Sequence, residues 1–240
     1  MHRWGAAATA AWPFPDAAVN FLRDGVASAA VPLDFAELLD PTHTAVLTME
    51  LQRGVVGDSA AIRDLADEVE ALGVIDNAVR AVRAARTAGA HVVHCTAQFR
   101  PDRAGSSDNS PMLRAIAKGH PHLLIGSTEA ELVPALGPEP TDIIAARTHG
   151  LTPFPGTDLD QTLRNIGVRT IVATGVSVNI GITGMAMVAV DLGYRVVVVT
   201  DAVAGVPRDY TDAVMQHTLA PLATRMTTDD LVRHWKETST

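Results

Sequence analysis

The sequence predicts an α/β fold, a three-layer α/β/α sandwich built on a doubly wound parallel sheet of about six strands. Three observations predict it. Short, continuously apolar runs recur along the chain, as strands covered on both faces require. Segments with apolar residues at helical spacing separate those runs. Glycines fall where the helical segments stop, at Gly89, Gly167 and Gly193, which is where helix C-termini favour them.

In chain order, residues 1–43 have no clean period and hold Pro13, Pro15 and Pro32. They read as an N-terminal arm with one short helix at 16–24, packed on its own domain or on a neighbouring subunit. The domain proper is 44–240. Residues 44–50 form the first strand, and 61–88 carry Leu65, Val69, Leu72, Ile75, Val79 and Val82 at helical spacing. Residues 91–96 form a second strand. The stretch 97–140 is rich in loops, with a short helix at 111–118. Strands follow at 142–147, 169–174 and 195–200, the last holding four consecutive valines, Val196 to Val199. Helices are expected at 158–166, 179–192 and 208–222, then a short strand at 224–227 and a terminal helix at 228–237. Right-handed crossovers place ligands beyond the carboxyl ends of such strands. Three segments meet there: Glu50, Arg147 to His149, and Gly175 to Gly181.

Composition narrows the function. The 240 residues are 47% hydrophobic and 19% charged, with a net charge of -8, so a full core is available. The acidic balance excludes a large nucleic-acid footprint, which needs clustered Lys and Arg. No run approaches the roughly 18 apolar residues of a membrane span. The Ala-rich stretch after Met1-His2-Arg3-Trp4 is too short and too weakly basic for a signal peptide, so a cytoplasmic location is expected. A lone Cys95 excludes an intramolecular disulfide and a cysteine zinc cluster.

Five motifs carry a resemblance. Asp40-Pro41 precedes the first strand and Leu51-Gln52 follows it; Phe154-Pro-Gly-Thr-Asp-Leu159 turns into a helix. Gly175-Val176 with Asn179 comes next, then Asp191-x-Gly193-Tyr194 with Asp201-Ala202. Together, from about 40 to 225, they resemble the isochorismatase-like hydrolase superfamily, which includes nicotinamidases and N-carbamoylsarcosine amidases. The resemblance implies an Asp, Lys and Cys at three positions. Here they are Glu50, Thr148 (six residues before Phe154, with Arg147 adjacent) and Gly181. Without a thiol, covalent amide hydrolysis has no attacker. Cys95 sits inside an apolar strand and reads as an inert small hydrophobe. Ser177 and Thr183 flank the site with no recognisable base beside them. The isochorismatases proper are similar at this point, with glycine for cysteine, and their vinyl-ether cleavage needs protonation and water.

Glu50 is the expected acid or base; the bland alternative is a salt-bridged or surface carboxylate. A pairing with Arg147 would weaken it as an acid. Arg147 is expected instead to clamp a substrate carboxylate through its planar fork, the alternative being a solvated strand-end arginine. His149 is the third catalytic candidate, set against an exposed loop histidine. The resemblance adds Gln52, Thr148, Phe154, Asn179, Ile180 and Gly181 as substrate-binding positions, the last three as amide donors at a helix start. Gly181 also suits simple close packing. His91 and His94 face opposite sides of a strand, and His120-Pro121-His122 is a loop motif, so no metal is expected. Nor is a cofactor, since no Gly-rich phosphate loop occurs. The expected function is hydrolysis of a small, carboxylated molecule by acid or water chemistry, in a homo-oligomer (dimer or tetramer) as the resemblance implies. The alternative is a catalytically silent small-molecule binder or assembly subunit, with a cavity filled by Met49, Met185 or Phe154.

Overall fold

The computed structural model describes residues 34–119 and 122–238. The helix expected at 16–24 lies outside the described residues. Six strands form one sheet: β1 Thr44–Met49, β2 His91–Ala97, β3 Ile143–Arg147, β4 Thr170–Val176, β5 Arg195–Ala204 and β6 Thr224–Met226. Their order is β3-β2-β1-β4-β5-β6, with every neighbouring pair parallel. The chain winds outward from β1 to β3, crosses back to β4, and winds the other way. That reversal sets β1 beside β4 and opens a crevice beyond their carboxyl ends.

The helices are α1 Phe35–Leu38, α2 Arg53–Val56, α3 Arg63–Ala71, α4 Val74–Ala88, α5 Pro111–Lys118, α6 Leu159–Asn165, α7 Thr183–Asp191, α8 Arg208–Ala213 and α9 Thr228–Thr238. Strand side chains alternate between faces, so one strand feeds two cores. Val46, Val172 and Val197 meet α4 and α9 on one face. Leu47, Ile171 and Val198 meet Leu159, Leu163, Met185 and Ala186 of α6 and α7 on the other. Each such buried Val or Leu contributes about 1.5–3 kcal/mol. Residues 34–43 join the first core: Leu38 and Leu39 are buried, and the Trp235 indole N–H donates to the Leu39 carbonyl at 2.8 Å.

Several boundaries differ from the pattern read in the sequence. The helical stretch 61–88 is two helices, because Gly73 takes a left-handed φ of 63° after α3 and starts α4. The periodicity runs through the break because both helices bury their apolar faces against the same side of the sheet. β5 runs on to Ala204. The helix expected at 179–192 opens as a π-helical turn, Val178–Ile182, before α7, and α8 closes as another, Val214–Leu219. Such turns gather at functional sites, and the first lies in the crevice. No helix among the described residues is long and apolar enough to cross a membrane.

Candidate active site

Glu50 follows β1 directly and holds a left-handed φ of 52°. For a residue with a Cβ this conformation is strained and persists only when its surroundings enforce it. They do so here. The Glu50 amide donates to the Cys95 carbonyl at 2.9 Å, and its carbonyl accepts from the Gln52 amide at 2.8 Å. Beside it, Gly175 has a φ of 104°, and a Cβ there would lie 2.2 Å from the Met49 carbonyl oxygen. Only glycine lets β4 approach the end of β1 so closely.

Arg147 ends β3, opposite Ala97 in the parallel register. Its side chain is 7% exposed, and Nη2 donates to Glu50 Oε1, whose side chain is 18% exposed. Nε donates weakly to the Gly150 carbonyl at 3.4 Å, and Nη1 has no partner. Arg147 therefore does not stand apart as a carboxylate clamp, as its position suggested. The additional methylene of glutamate carries the carboxyl far enough to meet it. The pair keeps one cation and one anion at the site although Thr148 fills the resemblance's lysine position.

Glu50 and Arg147 lie on the wall of a cavity of about 410 Å³, together with Ser177, Ile180 and Gly181. That size falls in the range of small-molecule sites. α5 and its neighbours supply an apolar side through Phe99, Met112, Leu113 and Ile116. Met49, Met185 and Phe154 do not fill this space; all three are buried in the core under it. Gly181 has no room for a side chain: a Cβ there would lie 2.7 Å from the Val176 carbonyl oxygen and 3.2 Å from Met49 Cε. The Ile180 amide, expected as a free donor, is given to the Ser177 carbonyl at 3.2 Å.

The other expected site residues point elsewhere. Gln52 is buried and braces the end of β2: Nε2 donates to the Ala97 and Ala130 carbonyls at 2.9 and 2.7 Å, and Oε1 accepts from the Ala97 amide at 2.8 Å. Phe154 stacks on Tyr194 with centroids 6.1 Å apart. The His149 ring lies against Gly156, with Nε2 only 2.2 Å from where a Cβ would be. The Thr148 carbonyl accepts from the Ser106 hydroxyl at 3.2 Å. Asn179 Oδ1 is buried without a partner near Gly205. None of these five lines the cavity.

Cys95 is 1% exposed, and burial pushes its thiol up to about 12. A thiolate is out of reach there. His94 is fully buried and lies outside the cavity; Thr48 Oγ1 donates to its Nδ1 at 2.8 Å, and its Nε2 donates to Asp142 Oδ2 at 3.3 Å. Arg86 completes this group through Asp142. Burial holds His94 below its ordinary pKa of 6.5, against the pull of Asp142. For Asp142 burial alone would act upward, but the Arg86 guanidinium, the Glu139 amide and His94 bring it below the usual carboxylate range. His122 lines the cavity and donates from Nε2 to the Gly54 carbonyl at 2.7 Å; His120 lies outside the described residues. Among the described residues no group of three His, Cys, Asp or Glu is placed to hold a metal ion.

Phe99, Met112, Leu113, Ile116 and His122 were not singled out as site residues in the sequence. The available signal was the apolar face of the short helix at 111–118.

Comparison with known proteins bears on the fold and the family. The chain is 28% identical over 205 residues to the uncharacterized isochorismatase family protein YwoC of Bacillus subtilis, covering 82% of this chain and 97% of that one. It is 32% identical over 153 residues to the ureidoacrylate amidohydrolase RutB of Methylorubrum extorquens, spanning 59% of this chain and 61% of RutB. Among solved structures, an isochorismatase family protein from Burkholderia thailandensis superposes with a TM-score of 0.68 at 26% identity, over 81% of this chain and 96% of that one. A cysteine hydrolase from Pseudomonas syringae gives the same TM-score, 0.68, at 20% identity over 83% and 95% of the two chains, and so shares the fold. The profile of the isochorismatase domain matches residues 44–230, and the chain belongs to the isochorismatase family of hydrolases.

Proposed function

We propose that this protein hydrolyses a small molecule with water as the attacking species and without a covalent protein intermediate. The Glu50–Arg147 pair, held on the wall of the cavity beside a side-chain-free Gly181, carries the reading. Glu50 lines the cavity, where a carboxylate is placed to meet a water beside a bound substrate, the position a general base needs. Glu50 takes a proton from water, and the water oxygen attacks the carbonyl carbon. The electron pair moves to the carbonyl oxygen, whose charge faces Arg147 and the positive end of the turn at Ser177 to Gly181. Collapse breaks the bond to the leaving group, which takes the proton back from Glu50. The amidohydrolase name of the RutB relatives supports carbonyl chemistry over vinyl-ether cleavage. The proposal takes residues 44–240 as the hydrolase domain, 1–43 as an arm, and the whole as a cytoplasmic homo-oligomer. His149 and Thr148 orient substrate only if their loop rearranges.

A panel of isochorismate, amides and esters, run on wild type beside Glu50→Gln, tests the proposal. Turnover by wild type and a loss of about a hundredfold or more in the variant are expected. An acyl adduct on the protein, or equal rates in both, overturns the mechanism. The silent-binder reading draws on Thr148 and Gly181, which lack the lysine and thiol of the related amidases. Ligand binding with no turnover of any panel member would select it.

A further inference from the structure

We propose that the cavity selects an uncharged substrate with a hydrocarbon body, an ester or amide of an aliphatic or aromatic acid, and discriminates against carboxylates. This rests on the hydrolytic reading for its chemistry but not for its binding. Glu50 and Arg147 are the only Asp, Glu, Lys or Arg among the described residues lining the cavity, and they are bound to each other. The polar end is thus neutral as a unit. A substrate carboxylate would meet Glu50 as a like charge, and would find the charge of the guanidinium already balanced. Opposite, Phe99, Met112, Leu113 and Ile116 give a wall with no charge to solvate. Ile62, Met112 and Ile116 are 58%, 38% and 37% exposed, apolar surface that an occupant would cover. The neutral carbonyl end has a place as well. Arg147 Nη1 lacks an acceptor, and a carbonyl oxygen drawn against the guanidinium supplies one without adding charge. At about 30 Å³ for each water-sized group, a volume of about 410 Å³ holds roughly a dozen non-hydrogen atoms.

The test is calorimetric binding of hexanamide, hexanoate, acetamide and acetate to the full-length protein at neutral pH. Hexanamide and hexanoate share one skeleton and differ in charge. Wild type is expected to prefer hexanamide to hexanoate by about tenfold or more. Affinity is expected to rise about fourfold with each methylene added from acetamide to hexanamide, the equivalent of ~0.8 kcal/mol per buried CH₂. Glu50→Gln removes the anion that balances the guanidinium, so hexanoate is expected to gain affinity in that variant. Ile116→Asp, a change at a partly exposed position, is expected to flatten the dependence on chain length. Equal or tighter binding of hexanoate by wild type overturns the proposal. So does an affinity independent of chain length, or the absence of binding by both six-carbon ligands. The wild-type comparison stands even if a variant fails to fold. Hexanamide binding without ester or amide turnover would leave this proposal standing and sink the hydrolytic one. Turnover confined to carboxylated substrates would do the reverse.

Discussion

Arg147, the last residue of β3, reaches across the end of β2 to hold Glu50, the residue after β1. The partners are 97 positions apart in sequence and two strands apart in the sheet. Cys95 lies beneath them close enough to feel both charges. The contact joins the ends of β1 and β3 and fixes the charge of the cavity at its polar end.

Breaking the pair from one side should be costly. Arg147→Met leaves the Glu50 carboxylate without its guanidinium in a site only 18% exposed. A loss of about 3–5 kcal/mol in unfolding free energy is expected where a largely buried ion pair loses one member. Glu50→Gln retains an acceptor for Nη2 and should be less destabilising. Urea denaturation of the two single variants and the double variant reads the coupling. Additive single effects would show that the two side chains do not depend on each other.

Gly181 is expected to resist any side chain. The approach of 2.7 Å to the Val176 carbonyl oxygen involves backbone, which cannot swing aside as a side-chain end can. Gly181→Ala should lose about 1–3 kcal/mol through overpacking. Gly181→Cys should incur the same strain, so the thiol enters a distorted site and gives no acyl-enzyme. Mass spectrometry of that variant with an activated ester checks this; a stoichiometric thioester would show that the site accepts the sulfur attacker after all.

The thiol that the protein does possess should be silent. Cys95 points into the core formed by Leu47, Met49 and Ile171, and burial holds its sulfur protonated at neutral pH, with a pKa of about 12. Iodoacetamide should not label native protein and should label it after denaturation. Cys95→Ala should leave catalysis in place while opening a small void, at about 1 kcal/mol in stability. Loss of turnover in a folded Cys95→Ala protein would return the sulfur to the mechanism.

The fold was legible because a parallel strand buried on both faces must be apolar at nearly every position. β1, β4 and β5 obey that rule, with valines contributing to both cores. Glu50 and Gly181 were legible as crevice positions because both lie at the carboxyl edge of the sheet, Glu50 directly after β1 and Gly181 in the turn after β4. The pairing of Glu50 with Arg147 was not, since side-chain reach across an intervening strand leaves no periodic trace. Gln52 and Phe154 carried motif positions and His149 a catalytic expectation, yet local contacts took each elsewhere: Gln52 to β2, Phe154 to Tyr194, His149 over Gly156. The apolar wall takes Phe99 from a loop and Met112, Leu113 and Ile116 from the short helix at 111–118, whose apolar face was legible while the cavity it faces was not.

Stability should fall on acidification in two stages, traceable to two neighbouring buried groups, His94 and Asp142. His94 is held below its ordinary pKa of 6.5 by burial. A histidine kept neutral in the fold favours the unfolded chain once protons are available, so stability begins to fall as pH drops below about 6.5 and the loss levels off below the folded value. Asp142 has the opposite chemistry and the same sign. Its folded pKa lies below the ordinary 3.8, through Arg86, the Glu139 amide and His94 acting against burial. Its stabilisation is full above 3.8 and lost as pH falls through the folded value. His94→Gln removes the titrating ring and keeps hydrogen-bonding groups for Thr48 and Asp142. Thermal melts from pH 7.5 to 3 should therefore show the first stage flattened in His94→Gln and the second retained. If the variant and wild type lose stability in parallel between pH 6.5 and 5, His94 is not the group that responds, and protonation elsewhere must carry the first stage.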